Sequence, residues 1–140
     1  MDATRTVLLA EDEALLRETL AALLAQHGYE VVAVGSGTEA VAAAADRMPD
    51  LAILDMMLPG ESGFHVTRVV KDLSAGRVPV IMMSGNTSAA HRDYALASGV
   101  DSFLAKPFDP ARLLELIDSL CPPVPRVVFR AARRAALTGP

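Results

Sequence analysis

The sequence predicts a doubly wound α/β domain built on a five-stranded parallel sheet. Short unbroken apolar runs at 7–10, 51–54, 78–83 and 102–105 read as strands buried on both faces, since a half-buried strand would alternate apolar with polar. Each run gives way at once to a polar residue and then to a helical apolar pattern, the alternation that right-handed βαβ crossovers produce. At 140 residues, with 51% hydrophobic and 21% charged side chains, the chain suffices for one compact core and is too apolar for disorder along most of its length. Aromatic residues make up only 4%, so aliphatic packing must dominate that core.

The elements follow in order. A strand over 5–10 leads to a helix over 13–26, where Ala14, Leu15, Leu16, Leu20, Leu23 and Leu24 form an apolar stripe and Gly28 stands just beyond as a terminator. A second strand covers 30–34. After Gly35, Ser36 or Thr38 is the N-cap of an alanine-rich helix reaching 47. Pro49 and Asp50 turn the chain into the third strand, 51–54, and a Pro/Gly loop over 58–63 opens a helix over 63–74 closed by Gly76. The fourth strand, 78–83, passes through Ser84, Gly85, Asn86 and Thr87 to a helix over 88–98 ended by Gly99. The fifth, 101–105, meets Lys106 and Pro107 before a helix over 109–120.

In an open parallel sheet, residues just past the carboxyl ends of the strands meet at one rim, where ligands bind. Here that rim collects Glu11, Asp12, Asp55, Ser84 and Lys106. Three neighbouring carboxylates repel one another unless a cation sits among them. A hard divalent ion with oxygen ligands answers that need, and an open, shallow cluster suits Mg2+, which keeps several waters and takes phosphate oxygens. An Asp carboxylate can also attack phosphorus to form an aspartyl phosphate, with positioning and electrostatics supplying most of the catalysis. Lys106 would supply a point charge and Ser84 a hydroxyl hydrogen bond to the phosphoryl oxygens. A lone strand-end carboxylate is as well explained as a helix cap, and Ser84 alone as an N-cap; it is their combination with Asp55 and Lys106 that points to phosphoryl chemistry.

Four segments, 7–13, 54–60, 83–85 and 106–108, resemble the receiver domains of bacterial two-component response regulators, a likeness that covers residues 4–120. It implies a flavodoxin-like (βα)5 fold with strand order 2-1-3-4-5. It also implies transfer of a phosphoryl group to Asp55 from a sensor histidine kinase or histidine phosphotransfer protein, the domain acting as a stoichiometric phosphoacceptor rather than a turnover enzyme. Glu11 and Asp12 match the acidic pair that holds Mg2+ together with Asp55, and the backbone carbonyl of Met57 matches a further metal ligand. Ser84 and Lys106 match the phosphate-contacting hydroxyl and lysine, and the family's Lys-Pro peptide is often cis. Ser84 and Phe103 match the two switch positions. Glu11 replaces the commoner Asp, Phe103 lacks the hydroxyl of the frequent tyrosine, and apolar Met57, with Asn86, occupies a position that influences loss of the phosphate. The expected output surface is the helix at 88–98, the strand at 101–105 and the helix at 109–120, and this 88–120 face is also a candidate homodimer surface.

Charge divides the chain into two parts. Residues 1–120, the expected receiver domain, hold all seventeen acidic side chains against nine basic ones, a net of −8, whereas 121–140 carry four arginines and no acid. An acidic body disfavours direct nucleic-acid binding. The Pro/Arg-rich tail breaks at Pro122, Pro123 and Pro125, after which Arg126, Arg130, Arg133 and Arg134 recur at helical spacing. That pattern suits a short amphipathic basic helix against an acidic surface, a partner or anionic lipid, and equally a solvated tail. Twenty residues are too few for an output domain, so the chain reads as a stand-alone receiver. No signal-like or membrane-spanning run is present, making a cytoplasmic location the default. Cys121 has no Cys or His neighbour at metal spacing and reads as structural, as His27, His65 and His91 read as surface residues. The alternative function is a phosphorylation-independent interaction module on the same fold. A flavin-binding or haloacid-dehalogenase-type protein is disfavoured, because no phosphate-cradling loop or Asp-x-Asp follows the first strand.

Overall fold

The computed structural model describes residues 4–85 and 88–121. Ten elements alternate: β1 (Thr6–Ala10), α1 (Ala14–Gln26), β2 (Glu30–Val34), α2 (Gly37–Asp46), β3 (Leu51–Asp55), α3 (Gly63–Ser74), β4 (Val80–Ser84), α4 (Ala89–Ala97), β5 (Ser102–Ala105) and α5 (Pro110–Leu120). All strand pairs are parallel, in the order β2-β1-β3-β4-β5. Order reverses at β1, so the ends of β1 and β3 flank the crevice where such sheets bind ligands.

The sheet separates two aliphatic layers. On one face Leu20 and Leu24 of α1 and Leu113 and Ile117 of α5 pack on Val7, Leu9, Ile53, Ile81 and Met83. On the other, Ala40 and Ala44 of α2, Val66 and Val70 of α3 and Ala95 of α4 cover Leu8, Ala10, Leu54 and Met82. β1, β3 and β4 are buried along their whole length, and each fully buried Leu or Ile contributes about 1.5–3 kcal/mol. This two-sided burial is what the unbroken apolar runs encode.

Local chemistry sets the ends. Ser36, rather than Thr38, caps α2 by accepting from Glu39 N–H at 3.1 Å, and Ser62 caps α3 through His65 N–H. Asp109 caps α5 with Pro110 in the first turn. Three strands begin later than expected, the first by one residue, at Thr6. The strand expected from 78 starts at Val80, because Val78 N–H is taken by Ser74 Oγ and Pro79 has no N–H to give. The strand expected from 101 starts at Ser102; Asp101 sits at its edge, its N–H donating to Val80 O while its carboxylate accepts from Val80 N–H and Lys71 Nζ, each at 2.7 Å. Asp55 lies inside β3, one residue beyond the expected end. Gly28, Gly76 and Gly99 all have positive φ just past their helices, as the terminator pattern requires. The expected helix in 121–140 falls outside the described residues except at Cys121, as do Asn86 and Thr87.

Candidate functional site

Parallel register carries the five rim residues to one place. Ala10 lies beside Leu54, Asp55 beside Met83 and Ser84 beside Ala105, so Glu11, Asp12, Asp55, Ser84 and Lys106 emerge from four adjacent strand ends. The backbone continues this alignment past the strands. Glu11 N–H donates to Val34 O, Met56 N–H to Met83 O and Lys106 N–H to Ser84 O.

Glu11, Asp12 and Asp55 each present a carboxylate oxygen, and these atoms lie within 4.8 Å of one another. Asp12 is exposed, whereas Glu11 and Asp55 are only 1% and 7% exposed. Lys106 Nζ reaches both buried carboxylates, at 2.5 Å from Glu11 Oε1 and 3.0 Å from Asp55 Oδ2. Burial alone would lower the Lys106 pKa, but the hydrogen bonds it donates to Glu11 and Asp55 and the charges of both carboxylates outweigh it and hold the ammonium above its ordinary value. The remaining oxygens are oriented by backbone: Glu13 N–H donates to Glu11 Oε2 at 3.1 Å and Met57 N–H to Asp55 Oδ1 at 3.3 Å. The Lys106-Pro107 peptide is cis.

Hard, all-oxygen donors on an open rim fit Mg2+ by ligand type, and the exposed Asp12 leaves a side open to water and phosphate. Ser84 is buried at the end of β4. Phe103 lies half-buried beside Met82 in the layer under α2, α3 and α4, with its backbone two residues from Ala105, the neighbour of Ser84. The Met57 side chain is 73% exposed at the mouth of the site. His27, His65 and His91 are all exposed and lie on other parts of the surface.

Two supports of the site are not among the residues singled out from the sequence. Arg17 of α1 donates from Nη1 to the Glu11 carbonyl at 2.9 Å. The loop between β3 and α3 is clamped by glycines: Gly37 N–H donates to Pro59 O, and a Cβ at Gly37 or Gly63 would stand 1.7 Å from Glu61 O or 2.3 Å from Asp55 O. Arg17 lies in the first turn of α1, which begins at Ala14, and so stands close to the strand end that precedes the helix. The glycine clamp pairs residues of different units and leaves no local pattern.

The family model for the response regulator receiver domain matches residues 7–118. Among curated proteins, the DNA-binding response regulator MtrA of Mycobacterium tuberculosis is 37% identical over 115 residues, which are 81% of this chain and 50% of that protein. The phosphate regulon transcriptional regulatory protein PhoB of Pseudomonas aeruginosa is 37% identical over 111 residues, 79% of this chain and 48% of that protein. The chain thus spans about half the length of the curated relatives it matches. Among solved structures, the chemotaxis protein CheY4 of Vibrio cholerae superposes with a TM-score of 0.78 at 30% identity, over 84% of this chain and 98% of that one. No helix among the described residues is long and apolar enough to cross a membrane.

Proposed function

The chain belongs to the response regulator receiver domain family, and from that premise we propose that Asp55 is its phosphoacceptor, served by Lys106, Ser84 and a Mg2+ ion held by Glu11, Asp12, Asp55 and the Met57 carbonyl. Receiver domains are stoichiometric phosphoacceptors that signal through interactions, so the product is the modified protein itself. The observation that carries the assignment to Asp55 is its placement: a nearly buried carboxylate, within 4.8 Å of two others, with the lysine ammonium already hydrogen-bonded to it.

The chemistry follows from these positions. An Asp55 oxygen forms a bond to the phosphorus of a phosphohistidine while the P–N bond breaks, and the imidazole nitrogen keeps the electron pair and takes up a proton. Met57 N–H and Lys106 Nζ each hold one Asp55 oxygen, which fixes the direction of attack. Mg2+, when bound, neutralises the carboxylates and the phosphoryl oxygens. Lys106 then faces the new phosphoryl group, and Ser84 donates its hydroxyl to it. That added charge biases the loops after β4 and β5, with Phe103 repacking beside Ser84. The donor is a sensor histidine kinase or histidine phosphotransfer protein. The output is a protein partner or a second copy engaging α4, β5 and α5, in the cytoplasm.

Incubation with Mg2+ and acetyl phosphate, read by intact mass, tests this reading. One phosphoryl group should add to the wild type and none to Asp55→Asn. A wild type that gains nothing from acetyl phosphate or from a histidine phosphotransfer protein would favour a phosphorylation-independent interaction module.

A further inference from the structure

We propose that Arg17 is a positioning residue for the metal-binding acidic pair, holding the Glu11–Asp12 peptide in the orientation that points both carboxylates at the rim. The inference rests on the reading of Glu11, Asp12 and Asp55 as the cation site.

Glu11 is fastened at every polar atom. Its N–H is bound to Val34 O at the end of β2 and its carboxylate to Lys106 Nζ and Glu13 N–H. Its carbonyl is bound by Arg17 Nη1. That carbonyl belongs to the same rigid plane as the N–H of Asp12, so fixing it fixes the direction in which Asp12 leaves the strand. Asp12 has no comparable enclosure of its own, being exposed. The orientation of the exposed ligand is therefore set through the peptide before it, and Arg17 is the side chain that holds that peptide.

Arg17 reaches the carbonyl because Gly35 gives it room. β2 is the neighbour of β1, so Gly35, directly after Val34, lies beside Glu11. A Cβ at Gly35 would stand 3.0 Å from Arg17 Nη1 and 3.6 Å from its Cζ, tight enough that the guanidinium would have to give by a few tenths of an ångström. Gly35 does not have positive φ, so the backbone itself does not demand glycine there. The space it leaves is filled by the arginine.

Positioning and charge make opposite predictions. As a mere cation near three carboxylates, Arg17 would oppose Mg2+, and its removal would tighten binding. As a positioning group its removal loosens binding, and outer partners of metal ligands typically contribute about 10–100-fold in affinity. Mg2+ affinity of the full chain should be measured by calorimetric titration for the wild type, Arg17→Ala, Arg17→Lys and Gly35→Ala, with metal-free melting as the check on folding. The expected result is at least about tenfold weaker binding in Arg17→Ala, with partial recovery in Arg17→Lys. Gly35→Ala, which leaves the net charge unchanged and only crowds the guanidinium, should weaken binding less than Arg17→Ala does. An Arg17→Ala protein that melts like the wild type and binds Mg2+ as tightly or more tightly would overturn the proposal. Absence of Mg2+ binding in the wild type would instead remove the cation-site reading, and the proposal with it.

Discussion

Glu11 and Asp12 are adjacent in sequence and opposite in environment. From the chain alone both are strand-end carboxylates, and nothing local says that Glu11 faces inward to Lys106 while Asp12 stays in solvent. That division is made by partners 95 residues away in Lys106 and by the end of β2. Lys106 holds two nearly buried carboxylates together, so its loss leaves both without their cation. Breaking a fully buried pair costs about 3–5 kcal/mol. Because the Lys106 side chain is 21% exposed, solvent screens part of the loss, and Lys106→Met should destabilise by about 1–3 kcal/mol. A Mg2+ ion bound at the proposed site would supply the missing charge, so saturating Mg2+ should raise the melting temperature more in Lys106→Met than in the wild type. Thermal melts with and without Mg2+ decide this, and an unchanged metal-free melting temperature in the variant would count against the bridging role.

At the scale of elements, the sequence located all ten, because each strand is a continuous apolar run or a short β-branched one and each helix is bounded by a cap or a glycine. The displaced ends have chemical causes outside the apolar pattern: Pro79 has no N–H to donate, and at Asp101 the side-chain carboxylate takes Val80 N–H, although Pro79 O still accepts from Ala52 N–H and Asp101 N–H still donates to Val80 O. Less legible still is how the loop after β3 is seated. Gly60, at φ +82, abuts Thr38 Oγ1, while Gly37 and Gly63 press on the Glu61 and Asp55 carbonyls. These contacts set the distance between α2 and the segment that carries Asp55. An added methyl gains helix propensity of at most about 1 kcal/mol at Gly37, far less than the cost of a backbone collision. Gly37→Ala and Gly63→Ala are expected to destabilise by about 1–3 kcal/mol or more. Gly85→Ala, where a Cβ meets nothing within 4 Å, should cost little. Chemical denaturation of the three variants gives the comparison, and equal stabilities would refute the clamp.

Across the whole molecule, the sequence specified the two-layer aliphatic core and the rim that bears the site, since both follow from strand-end chemistry and parallel order. It did not specify what closes the α1–α5 layer, where Tyr29 and Cys121, 92 residues apart, come together and Tyr29 OH donates to Cys121 O at 3.4 Å. Burial, with Asp118 and Cys121 nearby, pushes the Tyr29 phenol up to about 12 despite the opposing Arg5. Burial likewise raises the Cys121 thiol, helped by Asp50 and opposed by Arg5. Lys106 is raised as well, by its carboxylate partners. In the unfolded chain these groups lose their protons near pH 8.5 for the thiol, 10 for the phenol and 10.4 for the lysine. The folded protein keeps all three protons further up the scale, so the unfolded state binds fewer and stability must fall as pH rises. The contribution is whole below those unfolded values and is lost for Tyr29 between about pH 10 and 12. Tyr29→Phe removes the phenol while keeping the ring in the core. Its unfolding free energy, followed by denaturant titration from pH 8 to 11.5, should decline less steeply than that of the wild type above pH 10 and in parallel with it below pH 9. Parallel curves throughout would mean that the Tyr29 proton is lost without cost in the folded protein, and that the α1–α5 layer is open to water at this seam.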